Sequence, residues 1–183
     1  MTILTTARLR LEPLSDAHYD DFHAMNADPE VARYLSGTPE TPEQTREVIE
    51  RVKARWAAVG YSWWALMSRE TGELVGAAAL QNLRREKQLL PDLACPLEIG
   101  WRLRREHQGR GYASEAALVI GDHAFDTLKP DEILAVCHPL NAASAGVMKR
   151  IGMQPQGLQR WYGMDQTTYR ASAAEWAAAR ATR

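Results

Sequence analysis

The stretch LEIGWRLRREHQGRGYASEAALVIGDHAF, residues 97–125, restricts the fold more than any other part of this sequence. LEIGWRL has strand character, and from Tyr112 a helix period places Ala113, Ala117, Ile120, Ala124 and Leu128 on one face, ending before Pro130. Two glycines and an arginine lie between them, and the apolar strand EILAVC (132–137) follows. A strand, a glycine loop, a helix and a second strand in that order make the centre of a mixed α/β domain.

The flanking segments agree with that centre. RLRLEPL alternates Leu9 and Leu11 against charged residues, and Ser15 or Asp16 can cap a short helix running toward Met25. A loop with Pro29, Gly37 and Pro39 leads to TPEQ, where Thr41 is an N-cap, Pro42 the first helical residue and Gln44 closes a capping box. The helix behind it sets Val48, Val52, Trp56 and Val59 on one stripe and stops at Gly60. SWWALM and LVGAAAL read as strands joined by a turn at Thr71 and Gly72, and residues 81–96 form a long polar connection. Asn141 can cap a helix with Val147, Met148 and Ile151 inward, ended by Gly152. Weaker strands follow near 157–162 and 166–171, and SAAE at 172–175 offers a capping box for a terminal helix.

Composition excludes several classes. The 183 residues suit one buried core, and a formal charge of −1 leaves no basic footprint for nucleic acid. Two cysteines, Cys95 and Cys137, have neither zinc-site spacing nor a disulfide framework, the usage of a reducing cytoplasm. No N-terminal run resembles a signal peptide, and no stretch approaches the roughly 18 apolar residues of a membrane span. A single cytoplasmic domain over residues 1–183, without metal, nucleic acid or membrane, is the expectation.

A loop that binds phosphate through its backbone needs successive N–H groups facing one concavity, which glycine dihedrals permit. A helix starting at once adds the positive end of its dipole and further N–H groups. Gln108–Ala113 meets these needs, but it lacks the Lys-Ser/Thr ending of a P-loop and the three-glycine dinucleotide fingerprint. Its own residues leave a second reading open, a tight strand-to-helix turn without a ligand.

Gln108-Gly-Arg-Gly-Tyr-Ala113 resembles the Gln/Arg-x-x-Gly-x-Gly/Ala motif of the GNAT superfamily of acyl-CoA-dependent N-acyltransferases. TGELVGAAAL is similar to that family's hairpin, EIGWRL to its fourth strand, and NAASAGVMKRIGM to its Asn-x-x-Ser helix ending in Gly-Met. Glu98-Ile-Gly-Trp101 together with Asn141 and Ser144 most resembles the subgroup that acetylates N-termini of ribosomal proteins. The resemblance implies an α/β GNAT fold: a mixed central sheet of about seven strands flanked by helices, its fourth and fifth strands splayed. It implies acetyl-CoA as cosubstrate, with the diphosphate on the N–H groups of Gln108, Gly109, Arg110, Gly111, Tyr112 and Ala113. The pantetheine arm would lie along Trp101 and Leu103 and bond Asn141, and Arg104 and Arg105 are either 3′-phosphate contacts or surface charges. The subgroup further implies a homodimer; the tail with Trp176 packs either across that interface or on its own core.

Acetyl transfer to an amine needs a neutral amine, and an α-amine titrates near about 8 against roughly 10.4 for lysine. Glu98 is the first candidate for the base, because alternation puts it beside Gly100, which leaves room for substrate or water. The alternative for Glu98 is a strand glutamate paired with an arginine, and His138 in CHPLN is the second candidate base. Many relatives carry a tyrosine seven residues after the asparagine as general acid; here that residue is Met148, so Ser144 or solvent remains for the leaving thiolate. The acceptor, a protein N-terminus or a small-molecule amine, is expected against Tyr34–Thr41, Trp63 or Trp64, and residues 157–165 with Trp161 and Tyr162. The absent tyrosine keeps open a second class, an acyl-CoA-binding sensor or interaction module without turnover.

Overall fold

The structure, a computed structural model, describes residues 2–86 and 93–183. Along the chain run β1 (Leu4–Thr5), β2 (Leu9–Pro13), α1 (Tyr19–Asn26), α2 (Pro29–Ala32), α3 (Pro42–Val59), β3 (Trp63–Ser68), β4 (Leu74–Asn82), β5 (Leu97–Leu103), α4 (Tyr112–His123), β6 (Glu132–Cys137), α5 (Ala142–Arg150), β7 (Gln154–Trp161), β8 (Met164–Ser172) and α6 (Ala173–Arg180). The strands form one sheet in the order β1-β2-β3-β4-β5-β6-β8-β7. It is mixed: β5 and β6 pair parallel, and β1/β2, β2/β3, β3/β4, β6/β8 and β7/β8 pair antiparallel. The expected α/β class holds, with eight strands because the two-residue β1 joins the edge. No helix among the described residues is long and apolar enough to cross a membrane.

The chain divides into two compact units, one of residues up to Ala79 with Trp101–Val119, the other of Leu80–Gly100 with Ile120–Arg183. In the first, local signals set the helices. Thr41 accepts from the Gln44 N–H, Gln44 Oε1 accepts from the Thr41 N–H, and Gly60 closes α3 at φ +79°. The buried stripe of α3 is Thr45, Ile49, Val52 and Trp56, so the expected stripe is corrected: Val48 and Val59 are only half-buried. Both lie at the margin of the face that Val52 and Trp56 centre. The stretch expected as loop after Met25 contains α2, which Asp28 caps by accepting from the Glu30 N–H at 2.8 Å.

The second unit holds the parallel ladder. It pairs Leu97 with Ile133 and Glu98 with Leu134 and stops before Ile99 and Ala135. The α4 helix was expected to run on to Leu128, but residues Ala124–Leu128 form a wider turn in which the Lys129 N–H reaches Ala124 O at 3.1 Å. The extra residue in that turn rotates Leu128 off the stripe and leaves it 39% exposed. The SAAE capping box forms, with Ser172 Oγ accepting from the Glu175 N–H at 3.3 Å. Trp176 is buried against Gly121 and Phe125 and donates from Nε1 to Asp122 Oδ1 at 2.7 Å, so the tail packs on its own unit. Of the long connection expected at 81–96, residues 87–92 lie outside the described residues.

Gly76 on β4 shows how closely the strands of the first unit approach. A Cβ there would sit 2.4 Å from the Arg102 carbonyl oxygen and 2.6 Å from Leu103 Cδ2. The backbone oxygen cannot move aside, so Gly76→Ala is expected to destabilise by about 1–3 kcal/mol. Thermal unfolding should register this as a fall in Tm of roughly 2–4 °C per kcal/mol.

Candidate active site

Within the second unit, alternation along β5 sets Glu98 and Gly100 on one face and Ile99 on the other. Glu98 is 6% exposed and is the single carboxylate among the buried described residues. A carboxylate out of water needs hydrogen-bond donors, and two converge on its Oε2. Tyr162 donates from its hydroxyl, and Gln81 donates from Nε2 at 3.1 Å. Gln81 Nε2 also reaches Tyr162 Oη at 3.0 Å, which closes a three-residue cluster. Oε1 lies toward Gly100, where an added Cβ would meet nothing within 4 Å except that oxygen, at 4.0 Å.

Backbone holds the tyrosine in place. The Tyr162 N–H donates to Arg84 O at 2.7 Å and the Gly163 N–H to Arg85 O at 2.9 Å. Tyr162 turns between β7 and β8 at φ +55°, a conformation uncommon outside glycine. The Arg84 guanidinium stacks 5.1 Å from the centre of the Tyr162 ring. Burial pushes the Glu98 carboxyl above the usual carboxylate range, against the opposing hydrogen bonds of Tyr162 and Gln81 and the charge of Arg84. Burial and the adjoining carboxylate also hold the Tyr162 phenol above its usual value, so it stays a proton donor in the hydrogen bond. Glu98 is therefore the member that can exchange a proton nearer neutral pH.

The other residues singled out from the sequence in this unit take local roles. His138 is half-buried; its Nδ1 accepts the Leu140 N–H at 3.1 Å, and its carbonyl accepts the Asn141 N–H at 2.8 Å. Asn141 caps α5 as expected, its Oδ1 accepting the Ser144 N–H at 3.1 Å. The Ser144 hydroxyl bonds the thiol of Cys137, which burial pushes up despite that bond and the Ala145 N–H. Met148 and Ile151 are buried as expected, and Val147 is only half-buried. Trp161 is buried with Leu83, Cys95 and Leu134.

In the first unit, β5 ends with Trp101 half-buried and Leu103 buried. A turn, Arg105–His107, leads to Gln108, whose Nε2 donates to Leu103 O at 3.2 Å. Gly109 and Gly111 then adopt φ +73° and +85°, both left-handed, with Arg110 between them, and α4 begins at Tyr112. A Cβ at Gly109 would meet nothing within 4 Å, so the loop opens onto free space there. With the unpaired N–H groups that start any α-helix, this loop fits a diphosphate. Arg104 is committed elsewhere, to Asp21 at 3.1 Å and Glu106 at 2.9 Å. Trp64 is core, while Trp63 is half-buried with the Arg102 guanidinium 4.7 Å from its ring centre. Arg102 also donates to Asn26 Oδ1 at 2.9 Å and pairs with Glu40 at 3.5 Å. No group of His, Cys, Asp and Glu among the described residues is arranged to hold a metal ion.

Comparison with known proteins adds to this geometry. The family model described as an acetyltransferase (GNAT) domain matches residues 8–154. The Bacillus subtilis protein YkkB, described as uncharacterized, is 32% identical over 162 residues, 87% of this chain and 90% of its own. A solved acetyltransferase from Agrobacterium tumefaciens is 31% identical and superposes with a TM-score of 0.78 over 93% of this chain and 94% of its own. RimL, a ribosomal L7/L12 α-N-protein acetyltransferase solved with coenzyme A, has a TM-score of 0.75 over 93% of this chain and 98% of its own; at 17% identity that likeness is one of fold.

The raised carboxyl has a stability consequence. Its ordinary value is 4.5, so between that pH and its higher folded value the folded state keeps a proton that the unfolded state has released. Stability then falls as pH rises through this window, and Glu98→Gln, neutral throughout, escapes the loss. Melting curves at about pH 4 and about pH 7.5 should show the variant gaining on the wild type at the higher pH. A pH-independent difference would contradict the buried-carboxylate assignment.

Proposed function

The chain belongs to the GNAT acetyltransferase family and is an acetyl-CoA-dependent acetyltransferase, and we propose that it acetylates a primary amine by direct attack in a ternary complex. Glu98 carries the proposal: a buried carboxylate with a raised pKa, both donors on one oxygen and its other oxygen toward the space at Gly100.

In this reading Glu98 accepts the proton of the incoming amine, directly or through one water, typically a contribution of about 10²–10⁴-fold. Tyr162 and Gln81 fix the carboxylate without consuming Oε1. The amine nitrogen bonds to the thioester carbonyl carbon, the C–S bond breaks, and the thiolate takes a proton relayed by Ser144 or drawn from solvent. Met148, 1% exposed, offers no proton at the place of the family's tyrosine. Backbone N–H groups of β5 beyond the end of the parallel ladder meet the oxyanion. Gln108–Ala113 takes the diphosphate, and Trp101, Leu103 and Asn141 take the pantetheine arm. His138, with Nδ1 accepting the Leu140 N–H, is the second candidate for the base role.

Between a protein N-terminus and a small-molecule amine, the N-terminus is the acceptor proposed first, because its amine needs less help than lysine at neutral pH. The family match over residues 8–154 supports a single acetyltransferase domain, and a cytoplasmic location is part of the same proposal. Met148 is the observation that favours a second reading, an acyl-CoA sensor without turnover.

Thiol release from acetyl-CoA over a panel of amines and peptides separates the two. Turnover that drops about 10²–10⁴-fold in Glu98→Gln, with unchanged CoA affinity, supports the transferase; CoA binding without release on any acceptor supports the sensor. Gly111→Asp should abolish CoA binding in either case. Tyr162→Phe removes a bond that lowers the Glu98 pKa, so the acid limb of kcat/KM should move to higher pH. An unmoved limb would take Glu98 out of the base role.

A further inference from the structure

The proposed diphosphate loop does not stand alone in the first unit: an arginine just before β2 grips it from outside. Arg8 donates from Nη1 to the Arg110 carbonyl at 2.9 Å, and from Nε to Glu115 Oε2 at 2.7 Å, with Nη2 at 2.6 Å from the same oxygen. Its backbone N–H reaches Glu115 Oε1 at 2.9 Å, and the Thr6 hydroxyl donates to that oxygen at 2.5 Å. The guanidinium also lies 4.6 Å from the centre of the Tyr112 ring, and a Cβ on Gly111 would come within 3.3 Å of Nη2. One side chain thus touches the loop at Arg110, Gly111 and Tyr112 and the first turn of α4 at Glu115.

Two physical consequences follow. In a trans peptide the C=O and the next N–H point in opposite directions. Anchoring the Arg110 carbonyl on Arg8 therefore turns the Gly111 N–H away from Arg8, to the other side of the loop. The second consequence concerns charge. Glu115 is a carboxylate one helical turn from the proposed anion site, where an unmatched negative charge would oppose a diphosphate. Arg8 binds it through two guanidinium nitrogens and its backbone N–H, and the Thr6 hydroxyl adds a fourth donor, so the carboxylate is neutralised where it stands.

We propose that Arg8, with Thr6 and Glu115, is a positioning device for the donor site: it orients the 110–111 peptide and masks the Glu115 charge, setting affinity for the diphosphate of coenzyme A without touching the reacting atoms. The inference rests on the reading of residues 108–113 as the diphosphate loop, and the test separates the two. Binding of 3′-dephospho-CoA, which keeps the diphosphate, is measured by calorimetry, and pantetheine, which lacks it, by competition. The wild type should hold dephospho-CoA at least tenfold more tightly than pantetheine. Arg8→Ala should lose tenfold or more for dephospho-CoA and less than twofold for pantetheine, at unchanged stoichiometry. Arg8→Lys, with a charge but no fork, should fall between. The double variant Arg8→Ala/Glu115→Ala should bind dephospho-CoA more tightly than Arg8→Ala alone, because the exposed carboxylate is gone.

No preference in the wild type would overturn the diphosphate reading and the clamp with it. A wild-type preference that Arg8→Ala leaves intact, or equal losses for both ligands, would overturn the clamp alone. Equal affinities of the single and double variants would overturn the charge-masking half and assign the effect to peptide orientation.

Discussion

Holding the Glu98 carboxylate out of water is the constraint around which the second unit is arranged. An ion in that position is tolerated only where donors are fixed in advance, because an unsatisfied buried charge costs far more than a hydrogen bond returns. Gln81 comes from β4 and Tyr162 from the turn between β7 and β8, so elements far apart in sequence must be in register before the carboxylate is satisfied. The left-handed Tyr162 is part of that arrangement. Its backbone bond to Arg84 O and the Gly163 bond to Arg85 O hold the turn in an unfavourable dihedral, and the hydroxyl is thereby aimed at Oε2.

The first unit handles charge in the opposite way. Glu115 lies in the first turn of α4, where a carboxylate is favoured by the helix dipole, and its environment holds its carboxyl below the usual range. Burial pushes it up, and the bonds from Thr6 and Arg8 outweigh that push. Glu98 has partial neutralisation and a raised pKa, which suits a group that must exchange a proton. Glu115 has a full set of donors and a lowered one, which suits a group that must not. The same carboxyl group is thus pushed to a higher pKa in one unit and held to a lower one in the other by its burial and the donors around it.

Local signals were legible and distant ones were not. Thr41-Pro-Glu-Gln44 and Ser172-Ala-Ala-Glu175 form the capping boxes their spacing predicts, and Asn141 caps α5, because each needs only residues within one turn. On α3, Val52 and Trp56 are buried as their spacing predicts, but Ile49 rather than Val48 continues the face, since the two are equally apolar and only packing chooses between them. The wide turn at Ala124–Leu128 has no marker in the sequence, and it displaced Leu128 from its expected face. Glu98 is legible as a candidate because a carboxylate beside a glycine on a strand is a local pattern, and because the family resemblance places a glutamate there. Its partner Tyr162 is 64 residues away, and Arg8 is 107 residues from Glu115, distances at which one sequence carries no pairing information. The sequence points to Tyr162 only as one aromatic of the 157–165 segment; the structure adds its hydroxyl bond to Glu98.

β5 leads to both of the proposed sites. Its first residues pair with β6 and carry Glu98; its last residues lead through Leu103 into the glycine loop, with Gln108 bonded back to the Leu103 carbonyl. Side chains alternate along a strand, so a slip of one residue would send Glu98 to the face of Ile99 and carry Gly100 with it. The parallel ladder fixes that register by only two pairs before it ends. What else pins it is chemical rather than geometric: a carboxylate with two donors on one face and a fully buried isoleucine on the other. Exchanging those faces would strand a charge in an apolar core and expose the isoleucine, so the proposed base also helps to hold its own strand in register.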